Sequence, residues 1–127
     1  MYTETTRSIR ISVEPFYVAD QSEPDRERWV FGYRVRIENA GPQEHEVAIV
    51  KLDSGKEPMD FAKWGEKMVG KPPGTLHGGV SGLMPGGKAF VEVDLAPGEY
   101  GLICFVPDSK DGKGHYHHGM AKKVTVS

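Results

Sequence analysis

Residues 28 to 38 alternate strictly between side chains that prefer a protein core and side chains that prefer water. The odd positions carry the apolar set, Trp29, Phe31, Tyr33, Val35 and Ile37. A repeat of two residues is typical of a β-strand with one buried face. A single strand cannot bury an aromatic face of this size alone, so the segment predicts a sheet packed on a second layer. Its expected partners are Val47, Ile49, Val93, Leu102 and Cys104.

Further short apolar runs follow the same pattern along the chain. Strands are predicted at residues 7–18, 45–52, 88–95, 100–106 and 121–126. We expect a bulge or bend at Pro15, because proline cannot donate to a sheet ladder. The 16 glycines and 9 prolines fall mostly between these runs, which favours many turns. The sequence therefore predicts an all-β fold, a Greek-key β-sandwich of about seven strands with one short helix.

The short helix is predicted at residues 57 to 68. Its apolar side contains Met59, Phe61, Trp64 and Met68, and its polar side contains Asp60, Lys63, Glu66 and Lys67. This pattern indicates a helix or turn that covers an open end of the sandwich. Residues 69 to 83 are rich in glycine and proline, and we expect a loop there with at most a short strand.

Charge and composition exclude several classes of partner. The formal net charge is −2 and the pI is about 6.2, so we expect no nucleic-acid partner. No apolar run is long enough to span a membrane, and MYTETTRSIR lacks the apolar region of a signal peptide. We expect a soluble protein, made recombinantly in a cytoplasm, whose natural localisation the sequence does not assign. Self-association is expected only through unmatched edge strands.

The amino-terminal pattern resembles a known family. TRSIRISVEPFYVADQSEPDRERWVFGYRVRIEN, with its VEPFY strand end and QSEPDRER turn, is similar to the amino-terminal part of ApaG proteins. That resemblance covers residues 1 to about 40 and implies a sandwich of immunoglobulin or fibronectin type. The glycine-rich loop that is proposed to bind phosphate in that family is not expected here. GGVSGLMPGG neither follows a strong strand nor opens a helix.

A second pattern begins at about residue 39. It contains NAGPQEHEVAIVKLDSGK, GGVSGL and APGEYGLICFVPDSKDGKGHYHHGMAKKVTV, and it resembles cupredoxin-like domains, Greek-key sandwiches that carry one copper ion. We therefore predict a single β-sandwich domain over residues 1–127, with an ApaG-like segment (1–40) and a cupredoxin-like segment (41–127). Our first hypothesis is an engineered, de novo chimera of two half-domains without selected catalytic activity. The alternative is a cupredoxin-like copper-binding and electron-transfer protein.

The cupredoxin resemblance also implies a set of metal ligands. They are His45, Cys104, His115 and Met120. Two imidazoles, a thiolate and a weak thioether suit copper, which is the one cofactor that the resemblance implies. Apart from this resemblance, the sequence indicates no cofactor. Ten residues separate Cys104 from His115, a longer loop than the resemblance implies.

The residues themselves leave other interpretations open. A lone cysteine on an apolar strand is typical of a core residue, and PDSKDGKGHYHHG is typical of an exposed polar hairpin. We expect Cys104 to be buried and unligated without metal, with residues 107 to 118 forming a mobile hairpin. His115, His117 and His118 could bind a divalent metal adventitiously. A Cys104–imidazole pair lacks an oxyanion-hole loop, so we predict no enzyme and no catalytic residues.

Overall fold

The computed structural model describes residues 2–6, 9–17 and 31–127. Trp29 and the side chain of Phe31, both predicted core groups, lie outside the described part. Within it, the strands are β1 (Tyr2–Thr6), β2 (Ile9–Tyr17), β3 (Phe31–Asn39), β4 (His45–Leu52), β5 (Gly74–Leu83), β6 (Lys88–Asp94), β7 (Gly98–Ile103) and β8 (Ala121–Val126). One α-helix, α1 (Pro58–Lys67), follows β4, and a 3-10 helix (His115–His118) precedes β8. The predicted all-β class with one short α-helix is confirmed, with eight strands in place of about seven.

The strands form two antiparallel sheets of four strands each. The first sheet has the order β1-β2-β3-β6, and the second has the order β5-β4-β7-β8. β3 lies beside β6, and β4 lies beside β7, because the chain crosses between the sheets after β3, β5 and β6. Such crossings between non-consecutive neighbours are typical of Greek-key sandwiches. The predicted β-sandwich is therefore confirmed.

The expected bulge at Pro15 is absent from the pairing of β2 with β3. The register runs without a shift from Ile9 opposite Asn39 to Tyr17 opposite Phe31, and Pro15 lies opposite Tyr33. On the other side of β2, the pairing with β1 extends only to Val13. Among the described strands, Pro15 thus pairs on one side only, and a proline without a backbone N–H is tolerated there without a bulge.

Residues 74 to 83 form the full strand β5, where a loop was predicted. Gly79, at φ +144°, lies opposite Ala48, and a Cβ on Gly79 would come within 2.0 Å of the Val47 carbonyl oxygen. Glycine in this strand therefore allows a close backbone approach and does not end the strand. The register of β5 against β4 also shifts twice, between His45 and Val47 and between Ile49 and Val50.

The space between the two sheets contains the main core. Val35 and Ile37 of β3 are buried there in one cluster with Val47 and Ile49 of β4 and with Cys104. The remaining predicted partners are partly buried against the same cluster: Tyr33, Val93 and Leu102. The strands of the ApaG-like segment and the strands that follow it thus bury one common face.

Asn39 joins the two parts of the chain at the point where the sequence predicts a seam. Its side chain is 1% exposed. The amide nitrogen donates to the carbonyls of Gln43 at 2.7 Å and Leu83 at 2.8 Å, and Oδ1 accepts from the Gly41 N–H at 2.9 Å. A buried amide whose hydrogen bonds are all made to backbone groups fixes this turn and joins it to the end of β5. The junction is an integral part of the core.

The predicted helix is confirmed at residues 58 to 67, but its position differs from the expectation. It begins with Pro58 at its first turn, and the Asp60 carboxylate accepts from the Glu57 N–H at 2.8 Å, which is half of a capping box. The helix lies on the outer face of the second sheet and not over an open end. It forms a second core there with these residues: Val50, Leu52, Phe61, Ala62, Ile103 and Tyr116. In the described residues, no helix is long and apolar enough to cross a membrane.

The shared core predicts the effect of truncating β3. Ile37→Ala should lower the free energy of unfolding by about 2–5 kcal/mol, because truncating a buried side chain leaves a cavity. Ile37 is 0% exposed between the sheets. Phe90→Ala, on the neighbouring strand β6, is the control, since Phe90 is 67% exposed. We expect it to cost about 1 kcal/mol or less. Urea unfolding measures both values, and equal losses would contradict the shared core.

Candidate metal centre

The pairing of β4 with β7 brings His45 and Cys104 together. Ala48 lies opposite Ile103, so Cys104, the next residue, comes beside Val47. His45 begins β4 two residues before Val47 and therefore shares its inward face. Cys104 shares the same inner cluster. His45 is 6% exposed and Cys104 is 2% exposed.

The segment after Cys104 returns to it through backbone hydrogen bonds. The Tyr116 N–H donates to the Cys104 carbonyl at 3.0 Å, and the Cys104 N–H donates to the Met120 carbonyl at 3.0 Å. The His115 N–H donates to the Val106 carbonyl at 2.8 Å. These bonds bring the imidazole of His115 back to the end of β7 in spite of the long loop.

The expected polar hairpin is present only at the tip of this loop. Pro107 and Gly114 form an isolated antiparallel bridge, and residues 109 to 113 are exposed. Beyond the bridge, His115 and Tyr116 are buried, at 3% and 8% exposure. The expectation of a polar hairpin over residues 107 to 118 was therefore wrong for His115 and Tyr116, whose rings are packed in the interior.

Three atoms of metal-ligand type converge at this end of the sandwich. His45 Nδ1 and His115 Nδ1 are 3.2 Å apart. Cys104 Sγ lies 3.8 Å from His45 Nδ1 and 3.6 Å from His115 Nδ1. Metal bonds of about 2.05 Å to nitrogen and about 2.3 Å to sulfur would separate such ligand atoms by about 3.3–3.8 Å. The triangle therefore has the dimensions of a three-ligand metal site.

The hydrogen bonds of His115 Nε2 determine that Nδ1 is the ring nitrogen available to a metal. His115 Nε2 lies 3.2 Å from Gln43 Oε1 and 3.3 Å from Asp108 Oδ2, and both of these are acceptors. The amide orientation of Gln43 is itself set, because Oε1 accepts from the Ser109 N–H and Nε2 donates to Asp108. A neutral His115 therefore carries its proton on Nε2 and presents the lone pair of Nδ1 inward.

Burial controls the protonation of the other two side chains. Burial raises the pKa of the Cys104 thiol above its ordinary 9.0, although the Glu46 N–H donates to Sγ at 3.4 Å and opposes that rise. Burial, followed by the nearby His115, lowers the pKa of His45 below 6.5. At neutral pH, the metal-free cluster thus contains a thiol and a neutral His45 imidazole.

Met120, the fourth predicted ligand, lies at the same end of the sandwich. It is 9% exposed and borders a cavity of about 180 Å³ together with His45, His115 and His118. Its backbone N–H donates to the His115 carbonyl at 3.2 Å. The structure therefore places all four predicted residues in one neighbourhood, and three of them present converging ligand atoms.

The three histidines of the loop do not form the predicted common cluster. His117 Nε2 lies 3.0 Å from Glu66 Oε1, and His118 Nε2 lies 2.8 Å from Asp111 Oδ2. Only His115 faces inward. A second group of metal-ligand type consists of Asp108, Asp111 and His118, and two of its members are exposed. Adventitious binding of a divalent metal by the loop stays a prediction.

Sequence reasoning missed the residues that support the site. Gln43 and Asp108 orient His115, and Glu46 contacts the opposite side through its Oε1, which accepts from the Phe105 N–H at 3.1 Å. No motif marked these three polar side chains, because Gln43 and Glu46 contact residues 72 and 59 positions away and Asp108 meets His115 only where the loop folds back. Only the position of Gln43, just before the predicted ligand His45, could have suggested such a contact.

Tyr116 connects the 3-10 helix of the site to α1. Its hydroxyl donates to Glu66 Oε1 at 2.6 Å, and its ring packs against Phe105 at 5.5 Å between centroids. Burial and the hydrogen bond to Glu66 raise the pKa of Tyr116 to about 12. The hydrogen bonds from Tyr116 and His117 lower the pKa of Glu66. This contact ties the position of the neighbouring His115 to the outer core.

Comparison with known proteins places the chain among natural relatives. It is 58% identical, over an alignment 134 positions long, to protein ApaG of Parvibaculum lavamentivorans, covering 92% of this chain and 100% of that protein. It is 54% identical, over an alignment 126 positions long, to protein ApaG of Paramagnetospirillum magneticum, covering 89% of this chain and 97% of that protein. The chain belongs to the ApaG family. With protein ApaG of Rhodospirillum centenum, the match covers 41 residues at 58% identity, which is 32% of each chain.

Two other comparisons add little to this assignment. No family model matches the chain. The crystal structure of the ApaA protein from Bordetella pertussis aligns with a TM-score of 0.47 at 22% identity, over 94% of this chain and 88% of that one.

Membership of the ApaG family corrects the hypothesis for residues 39 to 127. Natural ApaG proteins match nearly the whole chain, so the engineered chimera, the de novo origin and the cupredoxin assignment were wrong. The electron-transfer function fails with that assignment. Both families are sandwiches with alternating apolar strands, so a short segment with cysteine, histidine and methionine did not distinguish them. The buried Asn39 at the expected join agrees with one continuous domain core.

The Tyr116–Glu66 contact predicts a pH dependence of stability. The folded pKa of Glu66 is lowered from 4.5, so its stabilising contribution is present above that pH and is lost as the pH falls through the lowered value. Glu66→Gln should therefore reduce stability at neutral pH and make the decline in acid shallower. Chemical unfolding at several pH values between about 7 and 3 measures this effect.

The control for this experiment is Asp94→Asn, which changes an exposed carboxylate on β6. We expect this variant to keep the acid dependence of the parent protein. If Glu66→Gln and Asp94→Asn lose stability in acid with the same slope as the parent, the contact has no role in holding the 3-10 helix.

Proposed function

We propose that the protein binds one transition-metal ion through His45, Cys104 and His115. The observation that carries the proposal is the triangle of Nδ1, Nδ1 and Sγ atoms with sides of 3.2, 3.6 and 3.8 Å. Two imidazoles and one thiolate suit Zn²⁺ and copper, whereas Mg²⁺ and Ca²⁺ prefer oxygen ligands. The proposed function is metal binding by an ApaG-family sandwich, in which copper is one of two candidate ions.

The contacts around the triangle support a prepared site. Gln43 and Asp108 accept from His115 Nε2 and so leave Nδ1 as the ligand nitrogen. The lowered pKa of His45 keeps its imidazole neutral, as a metal ligand requires. We include Met120 as a fourth, weaker ligand, because it borders the same small cavity as both imidazoles.

We assign this cluster to binding and not to catalysis. The raised pKa of Cys104 keeps its thiol protonated in the absence of metal, and a buried thiol is a poor nucleophile. The proposal therefore includes no enzymatic activity. The net charge of −2 likewise favours neither a nucleic-acid nor an anionic membrane partner. Self-association through β1, β5, β6 or β8, the outer strands of the described sheets, stays a prediction.

Metal titration tests the proposal. Co²⁺, a spectroscopic substitute for Zn²⁺, should bind with one equivalent and produce a sulfur-to-metal charge-transfer band. Zn²⁺ at a hundred times its dissociation constant should add about 2.7 kcal/mol to the free energy of unfolding. Cys104→Ala should abolish the band and the stabilisation. His118→Ala is the control, because His118 contacts Asp111 and lies outside the triangle.

The results separate the site from the exposed loop. Loss of Co²⁺ binding in Cys104→Ala, with unchanged binding in His118→Ala, supports the proposal. Loss in His118→Ala with an unaffected Cys104→Ala would assign binding to the loop and contradict it. Circular dichroism of each metal-free variant shows whether the sandwich is retained.

Binding should also release the thiol proton. Because the pKa of Cys104 is raised above 9.0, the proton must leave when the metal binds. The apparent affinity should therefore fall about tenfold for each unit by which the pH is lowered below neutrality. Calorimetry in buffers of different ionisation enthalpy counts the released protons. A pH-independent affinity would exclude Cys104 as a ligand.

A further inference from the structure

A larger apolar cavity lies between the two sheets, beside the proposed metal site. Its volume is about 670 Å³. Aliphatic side chains of β2, in the first sheet, and of β8, in the second sheet, line it, including Ile11, Val13, Val124 and Val126. The lining therefore favours an occupant with apolar groups.

The cavity also extends along the backbone edge of β8. All residues from 121 to 127 border it, whereas one face of a strand supplies only every second residue. Lys123 and Thr125 direct their side chains to the other face of the sheet. Lys123 Nζ lies 2.9 Å from Glu57 Oε1, and Thr125 Oγ1 donates to Glu99 Oε2 at 2.8 Å. These two residues therefore border the cavity through their backbone.

The pairing with β7 determines which backbone groups of β8 are left over. The Cys104 N–H donates to the Met120 carbonyl at 3.0 Å, and hydrogen-bonded pairs recur at every second residue of an antiparallel ladder. In the register of β7 and β8, the even-numbered residues of β8 thus bond to β7, and the backbone groups of Lys123 and Thr125 point away from it. Among the described strands, β8 pairs with β7 alone. An unused row of backbone donors and acceptors therefore runs beside an apolar cavity.

We propose that the free edge of β8 and this cavity bind an extended peptide segment of a partner protein, with apolar residues at alternate positions. The segment adds a fifth strand to the second sheet. Its backbone pairs with the groups of Lys123 and Thr125, and every second side chain enters the cavity, as in other complexes formed by strand addition. This site is separate from the proposed metal centre and does not depend on it.

The exposed edge favours a peptide over other apolar occupants. A lipid chain has no amide groups, so it would cover the backbone groups of β8 without pairing them, and that costs free energy. A second copy of this chain is disfavoured, because lysines on an edge strand keep identical edges apart. Recognition comes from backbone and apolar groups, so the charges of Lys122 and Glu46, which also border the cavity, are not needed.

Calorimetric titration with a heptapeptide tests the proposal. The probe has acetylated and amidated ends, and its three valines alternate with threonine and glutamate. The control peptide has the same composition with the three valines consecutive. The parent protein should bind one equivalent of the alternating peptide saturably, and the control peptide at least about tenfold more weakly.

A matched pair of variants tests the backbone edge. Thr125→Pro removes an N–H that β7 does not use, so it should keep the fold but weaken binding of the alternating peptide by about tenfold. Thr125→Ala loses the same contact with Glu99 but keeps the N–H, and it should bind like the parent protein. Circular dichroism shows whether each variant retains the sandwich.

Amide hydrogen exchange measured by NMR tests strand addition without any substitution. In the free protein, the amides of Lys122 and Val124 should exchange slowly, because they bond to β7, and those of Lys123 and Thr125 should exchange fast. The alternating peptide should slow exchange at Lys123 and Thr125 by at least about tenfold. An apolar ligand that only fills the cavity would not produce this alternation.

Each outcome decides for or against the proposal. Saturable binding of the alternating peptide, with new protection at Lys123 and Thr125, supports it. Absence of saturable binding overturns it, as do equal binding of both peptides, equal weakening in Thr125→Pro and Thr125→Ala, or unchanged exchange at both amides. Dimerisation of the parent protein in sedimentation that Thr125→Pro abolishes would assign the edge to a second copy and also overturn it.

Discussion

The antiparallel register between β4 and β7 is the constraint on which the rest of the structure depends. Pairing Ala48 with Ile103 aligns the start of one strand with the end of the other, so His45 and Cys104 face the same interior. A slip of one residue would turn Cys104 towards the helix side of the sheet and separate the two side chains. The register is fixed because both faces of these strands are buried, the inner face by the other sheet and the outer face by α1.

The loop after Cys104 adds the third side chain because it is anchored at several points. Backbone bonds attach it to Cys104, Gln43 accepts from the Ser109 N–H, and Tyr116 reaches Glu66 on α1. The site is therefore coupled to both hydrophobic cores. A loop with this many internal and external hydrogen bonds needs little further ordering when a metal binds, and that lowers the entropic cost of binding. The arranged ligand atoms and the neutral His45 therefore support the proposed metal site over the alternative in which Cys104 is only a buried core residue.

Much of the fold could be predicted from the sequence, because alternating apolar residues around Val35 and Ile37 indicate a β-strand with one buried face. The helix was equally readable from the spacing of Phe61 and Trp64. Strand β5 was missed because its glycines suggested a loop. Gly79 instead allows the backbone of β4 to approach closely, and composition alone does not distinguish these two roles of glycine. The four residues of the candidate site could be named from the sequence, but only through the resemblance to cupredoxins, which is not the family of this chain. Their convergence and the roles of Gln43 and Asp108 required the tertiary contacts.

The tautomer of His115 in the metal-free protein is the measurement that tests this account most directly. Long-range ¹H–¹⁵N correlation spectra of the histidine side chains at about pH 8, where imidazoles are mostly neutral, distinguish the two tautomers. The contacts of Nε2 with Gln43 and Asp108 predict that the proton lies on Nε2 and that Nδ1 is unprotonated. Gln43→Leu together with Asp108→Leu should abolish this preference. A His115 that is protonated on Nδ1 in the parent protein would contradict the account, because the cluster would then not be prepared for a metal.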